Sequence, residues 1–371
     1  MNSIHSCYIH IPFCSSICSY CDFCKLLYND KWVNEYLNSL EKEINFRYKN
    51  ELIQTLYIGG GTPSCLSINQ LEKLFNIIKR IDLSSDYEFT IEMNINDITE
   101  EKLILFKKNK VNRISVGIET VNNKFMPFLN RFCNKNDVLR KIKLIRKYFD
   151  NFNIDLMYAF PNQTIDEVLS DLSFVVNLRP KHISIYSLII EEHTRIFIDK
   201  VTPIDEDLES RMYYKIVEYL KSYGFNHYEI SNFALNGYES KHNMVYWNNE
   251  KYYGFGLGAS GYIDKCRYTN TKNISKYNEC KYDYLSEEID FKLDMEYEMI
   301  LGLRKINGVS KKEFFNKFLS SIEDNFDIIN LVKNKMLLDD GEYIYIPEDK
   351  LYISNSILVN FIGGSNSEWK R

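Results

Sequence analysis

Tyr8-Ile9-His10-Ile11-Pro12-Phe13-Cys14 is followed by Cys18, Cys21 and Cys24, so that four cysteines fall within eleven positions. Nine cysteines spread evenly over 371 residues would put fewer than one in such a window. Thiolates gathered this densely in a short segment read as ligands for a soft metal or an iron–sulfur cluster. Tyr8 to Ile11 is a short apolar run halted by Pro12, which suits a buried strand feeding a loop. Spaced CxxxCxxC, the thiolates of Cys14, Cys18 and Cys21 can hold three corners of a 4Fe–4S cube and leave one iron open. An open position on a metal centre usually serves chemistry.

The same residues admit two other readings. Cysteines at i, i+4 and i+7 could form the apolar stripe of a helix, since free Cys behaves as a small hydrophobe. Ser15, Ser16, Ser19 and Asp22 around them favour a loop instead. Cys21 and Cys24 also form a CxxC, so four thiolates could close on a structural zinc. A fourth thiolate would cap the open iron, and the expectation is that Cys24 is a bystander.

The rest of the composition bounds the function class. Hydrophobic residues make up 45% and charged residues 26%, as in globular proteins, and the length suits a large domain with a smaller one. The net charge of −5 argues against a nucleic-acid partner. No run of some 18 apolar residues is present, and the N-terminus lacks the basic and apolar regions of a signal peptide. The expected location is therefore the cytoplasm, where clustered cysteines mean metal more than disulfides.

Strand and helix patterns alternate. Lys31 to Arg47 carries Trp32, Tyr36, Leu40 and Ile44 at four-residue steps, an amphipathic helix. Gln54–Ile58, Glu88–Met93, Arg113–Ile118, Asn153–Met157 and His182–Leu188 read as strands. Each is followed by a helix: from Ser67 as N-cap, then Glu100–Lys108, Asn136–Tyr148, Ile165–Leu178 and Asp205–Tyr223. Six βα units argue for a parallel sheet with helices outside, closed or partly closed as a barrel. In such folds sites gather where the strands end. Gly59-Gly60-Gly61-Thr62-Pro63 ends one strand, with an ordinary βα turn as its plain reading. Glu92 and Asn94, Glu119, and Asp155 end the next three; each carboxylate could merely cap a helix, but together they favour a shared site.

CxxxCxxC after a strand resembles the signature of the radical S-adenosylmethionine (SAM) superfamily. The resemblance implies a partial (β/α)6 barrel, TIM-like, with the cluster at its top. SAM would chelate the open iron, and one electron from the cluster would cleave its sulfonium to a 5′-deoxyadenosyl radical. Tyr8–Cys14, Ser19–Phe23, Gly59–Ser64, Asn112–Gly117, Asp155–Tyr158 and Tyr228–Phe233 resemble the family of anaerobic coproporphyrinogen III dehydrogenases, nearest to its heme-chaperone branch. The match covers most of residues 4 to 310. It implies cluster ligation by Cys14, Cys18 and Cys21. It implies SAM contacts from Tyr8, the Tyr20 backbone, Gly60, Gly61, Thr62, Glu92, Arg131 and Asp155. Glu119 stands where the family usually has Gln; it still accepts from a hydroxyl but lacks the two amide donors.

His242-Asn243-Met244-Val245-Tyr246-Trp247 resembles the HNxxYW motif of the heme-chaperone branch, implicated there in heme binding. A neutral imidazole is a good axial ligand and Tyr and Trp offer flat apolar faces. The alternative is a hydrogen-bonded structural His beside two packing aromatics. Phe23, not Cys, lies two positions after Cys21, and only seven residues precede Tyr8; both features lean away from the dehydrogenases. Gly254 to Gly261 lacks the Lys-Ser/Thr pair of a P-loop and reads as a close-packed turn.

The expected organisation is a barrel over 1–235, a connecting region with HNxxYW over 236–290, and a smaller α+β, winged-helix-like unit over 291–371. In that last unit Tyr343–Pro347 and Lys350–Ile353 are expected to form a hairpin around Glu348-Asp349. The favoured function is binding heme and passing it to an acceptor protein. The alternative is radical decarboxylation of the propionates of coproporphyrinogen III. A small electron donor, a homodimer and peripheral contact with membrane proteins are the further partners implied.

Overall fold

Six strands and six helices alternate through the first two thirds of the chain, in a computed structural model that describes residues 4–363. The strands are β1 (Ser6–Ile11), β2 (Ile53–Gly60), β3 (Leu83–Asn94), β4 (Arg113–Glu119), β5 (Phe152–Tyr158) and β6 (His182–Ser187). The helices between and after them are α1 (Asp30–Arg47), α2 (Ile68–Ile78), α3 (Glu100–Lys108), α4 (Lys135–Tyr148), α5 (Ile165–Asn177) and α6 (Glu206–Ser222). Neighbouring strands pair in parallel throughout, β1 with β2 and so on to β5 with β6. Their Ile9, Ile58, Ile91, Val116, Ile154 and Ile183 are fully buried, as strands covered on both faces require.

The helices begin where side chains can take the free amides. Ser67 and Gln70 form a reciprocal cap on α2, and Thr164 and Glu167 do so on α5. Beyond β1 the sheet gains Tyr253–Phe255 in parallel; beyond β6 it gains Asn232–Ala234 and Asn226–Glu229, both antiparallel. The two outer edges do not pair with each other among the described residues, so the barrel is partial. The turn at Gly254–Gly261 packs closely, as expected: a Cβ on Gly254 would overlap the Ser260 carbonyl oxygen.

After the barrel come a three-stranded sheet (Ser260–Ile263, Cys266–Asn270, Asp283–Glu288) and then helices at Phe291–Gly302, Lys311–Phe318 and Ile328–Lys333. The final hairpin corrects the sequence expectation. Tyr343–Tyr345 pairs with Leu338–Asp339 across Asp340–Glu342, and Glu348–Ile353 is a 3-10 helix. Asp340 explains the register: one oxygen of its carboxylate accepts the amides of Glu342 and Tyr343, which makes a tight turn where Gly341 takes φ +94°. No described helix is long and apolar enough to cross a membrane.

Candidate functional site

The cysteine segment is a loop, not a helix, and the chain closes it on itself. Phe13 and Cys14 pair with Leu26 and Leu27 as a small parallel ladder. The Thr62 amide donates to Phe13 O at 2.7 Å, the Ser19 amide to Leu129 O, and the Asn130 side chain to Ile17 O. Anchored at these points, the loop presents Cys14, Cys18 and Cys21 to one cavity of about 510 Å³ at the C-terminal ends of the strands.

Cys24 faces elsewhere. Its Cβ and Sγ lie 2.7 and 2.9 Å from where a side chain on Gly258 would begin, and φ +71° at Gly258 lets the backbone come this close. No group of three His, Cys, Asp or Glu among the described residues is gathered as a site for a single metal ion. Cys24 thus does not share the cavity of the other three thiols, as a zinc on four thiolates would require. Thiolates that serve separate corners of a cube are spread more widely, and three around one cavity fit that arrangement.

Carboxylates from successive strand ends line the same cavity: Glu92 on β3, Glu119 on β4 and Asp155 on β5. Tyr57 on β2 donates to Glu92 Oε1 at 2.8 Å and the Gly60 amide to Glu92 Oε2 at 2.9 Å. Burial pushes the Glu92 carboxyl up to about 7 against these bonds. Asp155 accepts from Asn153 at 2.7 Å and Ser115 at 3.2 Å, and burial raises it too. Glu119 pairs with Arg131 at 2.8 Å, and Arg131 Nε lies 3.3 Å from Cys18 Sγ. Burial holds Glu119 up at about 7 even with that guanidinium beside it. Glu119 also takes φ +65°, a strained value for a residue with a side chain, of the kind found at functional sites.

Glu119 Oε2 and Asn232 Oδ1 are buried, have no hydrogen-bond partner, and belong to the cavity wall. Two orphaned acceptors beside three thiols are what a nucleoside with hydroxyl donors would complete. The residues present thus fit a cluster with SAM at its open corner: Cys14, Cys18 and Cys21 for the irons, Glu92, Glu119, Asp155 and Arg131 for SAM.

Gly60, Gly61 and Thr62 line the cavity with their amides already engaged: Gly60 donates to Glu92, Gly61 to Ile11 O and Thr62 to Phe13 O. Gly60 is glycine because φ is +109° and a Cβ would overlap the His10 ring. Tyr8 does not line the cavity; its hydroxyl lies 2.9 Å from His10 Nδ1, whose Nε2 donates to Cys24 O.

His242 also lies away from the cavity. It sits at the opposite, N-terminal end of the barrel, only 2% exposed. Nδ1 lies 2.9 Å from Thr55 Oγ1 and 3.2 Å from Ser6 Oγ, and Nε2 lies 2.8 Å from the Tyr246 hydroxyl. Its ring stacks on Tyr57 at 5.1 Å, and burial drives its pKa down to about 3. Both nitrogens are engaged in hydrogen bonds, which is the structural alternative the sequence left open. Trp247 meanwhile stacks under Arg304 at 4.9 Å. The HNxxYW segment plugs the barrel floor, and its Asn243, not its His242, reaches the cavity.

Sequence reasoning missed Tyr57, Asn232 and Asn243 as cavity residues. Tyr57 shares a strand face with Gly59 by two-residue alternation, a signal that was present. Asn232 and Asn243 come from distant segments that only the fold brings under the site.

The fold and this cavity define a class. Residues 8–175 match the family model of the Radical SAM superfamily. The fold is similar to coproporphyrinogen III oxidase (HemN) from Escherichia coli, a radical SAM enzyme, with TM-score 0.85 over 96% of this chain and 90% of that one, at 20% identity. Along nearly the whole sequence the chain is 40% identical to the heme chaperone HemW of Lactococcus lactis subsp. lactis (strain IL1403), covering 96% of this chain and 97% of that protein. It is 37% identical to the heme chaperone HemW of Bacillus subtilis (strain 168), covering 96% and 99%. The chain belongs to the HemW family within the radical SAM superfamily.

Proposed function

We propose that the protein is a heme chaperone, which binds heme and delivers it to an acceptor protein, with a 4Fe–4S cluster and SAM held at the top of the barrel. The observation that carries this reading is the similarity to HemW proteins along essentially the full length of both chains. The charge of the cavity supports it. Asp22, Glu92, Glu119, Asp155 and Glu191 face only Lys25 and Arg131 as cations there, and Arg131 is already paired. A tetra-anionic porphyrinogen entering such a wall would find only Lys25 as a free cation for its four propionates, which disfavours its decarboxylation here.

When bound, the cluster would supply one-electron chemistry to SAM. The chain's own residues bind and orient: Arg131 sits where a carboxylate could be held, Asp155 and Glu119 where ribose hydroxyls could be accepted, and Glu92 where an ammonium could be held. The heme acceptor, an electron donor and a homodimer are further partners of this reading.

The test is direct. Reconstituted protein is titrated with hemin, then mixed with an apo-hemoprotein, and separately incubated anaerobically with SAM, reductant and coproporphyrinogen III. Heme binding and transfer without a protoporphyrinogen product is expected. Conversion of the porphyrinogen with no heme binding would overturn the reading.

A further inference from the structure

Arg131 is committed at three of its donors. Nη2 lies 2.8 Å from Glu119 Oε1, Nη1 donates to Gly117 O at 3.2 Å, and Nε lies 3.3 Å from Cys18 Sγ. A guanidinium carries five N–H groups, so one remains on each Nη. The pair it forms with Glu119 is already neutral, and only 17% of one side chain and 4% of the other is exposed.

SAM is an amino acid and brings one carboxylate. Among the residues that line the cavity, Lys25 and Arg131 are the only cations. Lys25 is turned to the carbonyls of Cys21 and Phe23. The two remaining N–H groups of Arg131 are the buried donors that suit a carboxylate. Once they hold it, one guanidinium stands between two carboxylates, that of the ligand and that of Glu119. Like charges this close in a site shielded from water push one of the two groups toward its protonated form.

Glu119 is the one that yields. An α-carboxyl at roughly 3.5 is the stronger acid, whereas burial already holds Glu119 up at about 7. Tyr20, Arg131, Cys133, Glu92 on β3, Asp155 on β5 and Tyr186 on β6 all bear on Glu119, and Arg131 is the only cation of the six. The two oxygens of Glu119 also differ. Oε1 accepts from Tyr20 at 3.2 Å as well as from Arg131, while Oε2 is buried without a partner. A proton on Oε2 disturbs no existing bond. A ribose hydroxyl beside Oε2 can accept as readily as donate, so this atom is satisfied in either state.

We propose that Glu119 couples SAM binding to proton uptake: the ligand carboxylate takes a share of Arg131, and Oε2 of Glu119 gains a proton as it does so. The inference rests on the reading of this cavity as a SAM site. A glutamine at position 119 would bind without this step, because its amide does not titrate.

The test is calorimetric titration of SAM into the full chain with its cluster reconstituted, at pH 8 in two buffers of different ionisation enthalpy. The difference between buffers gives the protons taken up per SAM bound. Wild type should take up close to one proton more than Glu119→Gln at equal iron and sulfide content. Glu92, Asp155 and the ligand amine are common to both proteins and cancel in that difference. Relative to the variant, wild type should lose up to tenfold in SAM affinity for each pH unit above about 7. Infrared difference spectra of the wild type alone should gain a protonated-carboxyl band when SAM is added, a readout that does not depend on the variant folding. Equal proton uptake in two proteins that both bind SAM, or a wild-type spectrum that gains no such band, would overturn this inference and leave the SAM site standing. Failure of the cluster-loaded wild type to bind SAM would overturn both.

Discussion

Glu119 Oε1 stands 2.8 Å from Arg131 Nη2, and this pair ties the end of β4 to the segment beside the cysteine loop. Both side chains are largely buried, so neither tolerates losing the other. Removing one partner of a buried pair typically costs about 3–5 kcal/mol, because the remaining charge is stranded. Glu119 can relieve part of that cost by taking up a proton. Arg131→Met should therefore destabilise the cluster-free protein by about 3 kcal/mol at pH 8 in urea unfolding. Adding Glu119→Gln to Arg131→Met should recover most of the loss; if it recovers nothing, the pair is not what holds this wall.

At Gly60 the chain allows no side chain. A Cβ would press into the His10 ring, and φ +109° is closed to residues other than glycine. Gly60→Ala should cost about 2–4 kcal/mol through strain and overpacking. It should also abolish SAM binding by dislodging Glu92, whose Oε2 accepts the Gly60 amide. Unchanged SAM affinity in calorimetry would contradict this geometry.

The barrel floor gives a prediction on stability instead of binding. His242→Ala leaves the Thr55 and Tyr246 hydroxyls without their partner and opens a hole under Tyr57. A loss of about 2–4 kcal/mol is expected by thermal or urea unfolding. The milder Tyr246→Phe should cost about 1 kcal/mol. Wild-type stability in both variants would contradict this account of the barrel floor.

Glu229 adds a pH dependence. It is buried at the sheet edge, accepts the Ser231 amide at 3.1 Å, and burial pushes its carboxyl up to about 7. The folded state thus keeps a proton that the unfolded chain has released. The stability this proton linkage contributes is present below the ordinary carboxylate range and is lost as pH rises through about 7. A tenfold change in proton affinity is worth about 1.4 kcal/mol, so the wild type should lose about 2 kcal/mol more than Glu229→Gln between pH 5 and 8. Parallel stability profiles for the two proteins would contradict this.

Much of the fold was legible because local chemistry and global topology agree. Glu100–Lys108 has the sequence-expected bounds, and Ser67 caps α2 as its residue type suggests. The thiol loop was legible from spacing alone. His242 was not, because a sequence shows a ligand-type residue but not which hydroxyls surround it. Ser6 and Thr55 are more than 180 residues away in the chain. Tyr8 was misplaced for a related reason: strand alternation says which face it takes, not that His10 would claim its hydroxyl. The C-terminal hairpin failed on turn chemistry, where Asp340-Gly341 was the stronger signal than Glu348-Asp349.

The most direct test is iron, sulfide and spin measurement on anaerobically reconstituted protein, with Cys24→Ser beside Cys14→Ser, Cys18→Ser and Cys21→Ser. The wild type and Cys24→Ser should each hold about four irons per chain, and SAM should change the electron paramagnetic resonance signal of the reduced cluster. The other three variants should lose the cluster. Loss of iron in Cys24→Ser, or a reduced cluster whose signal ignores SAM, would contradict the account of a cube with one corner open.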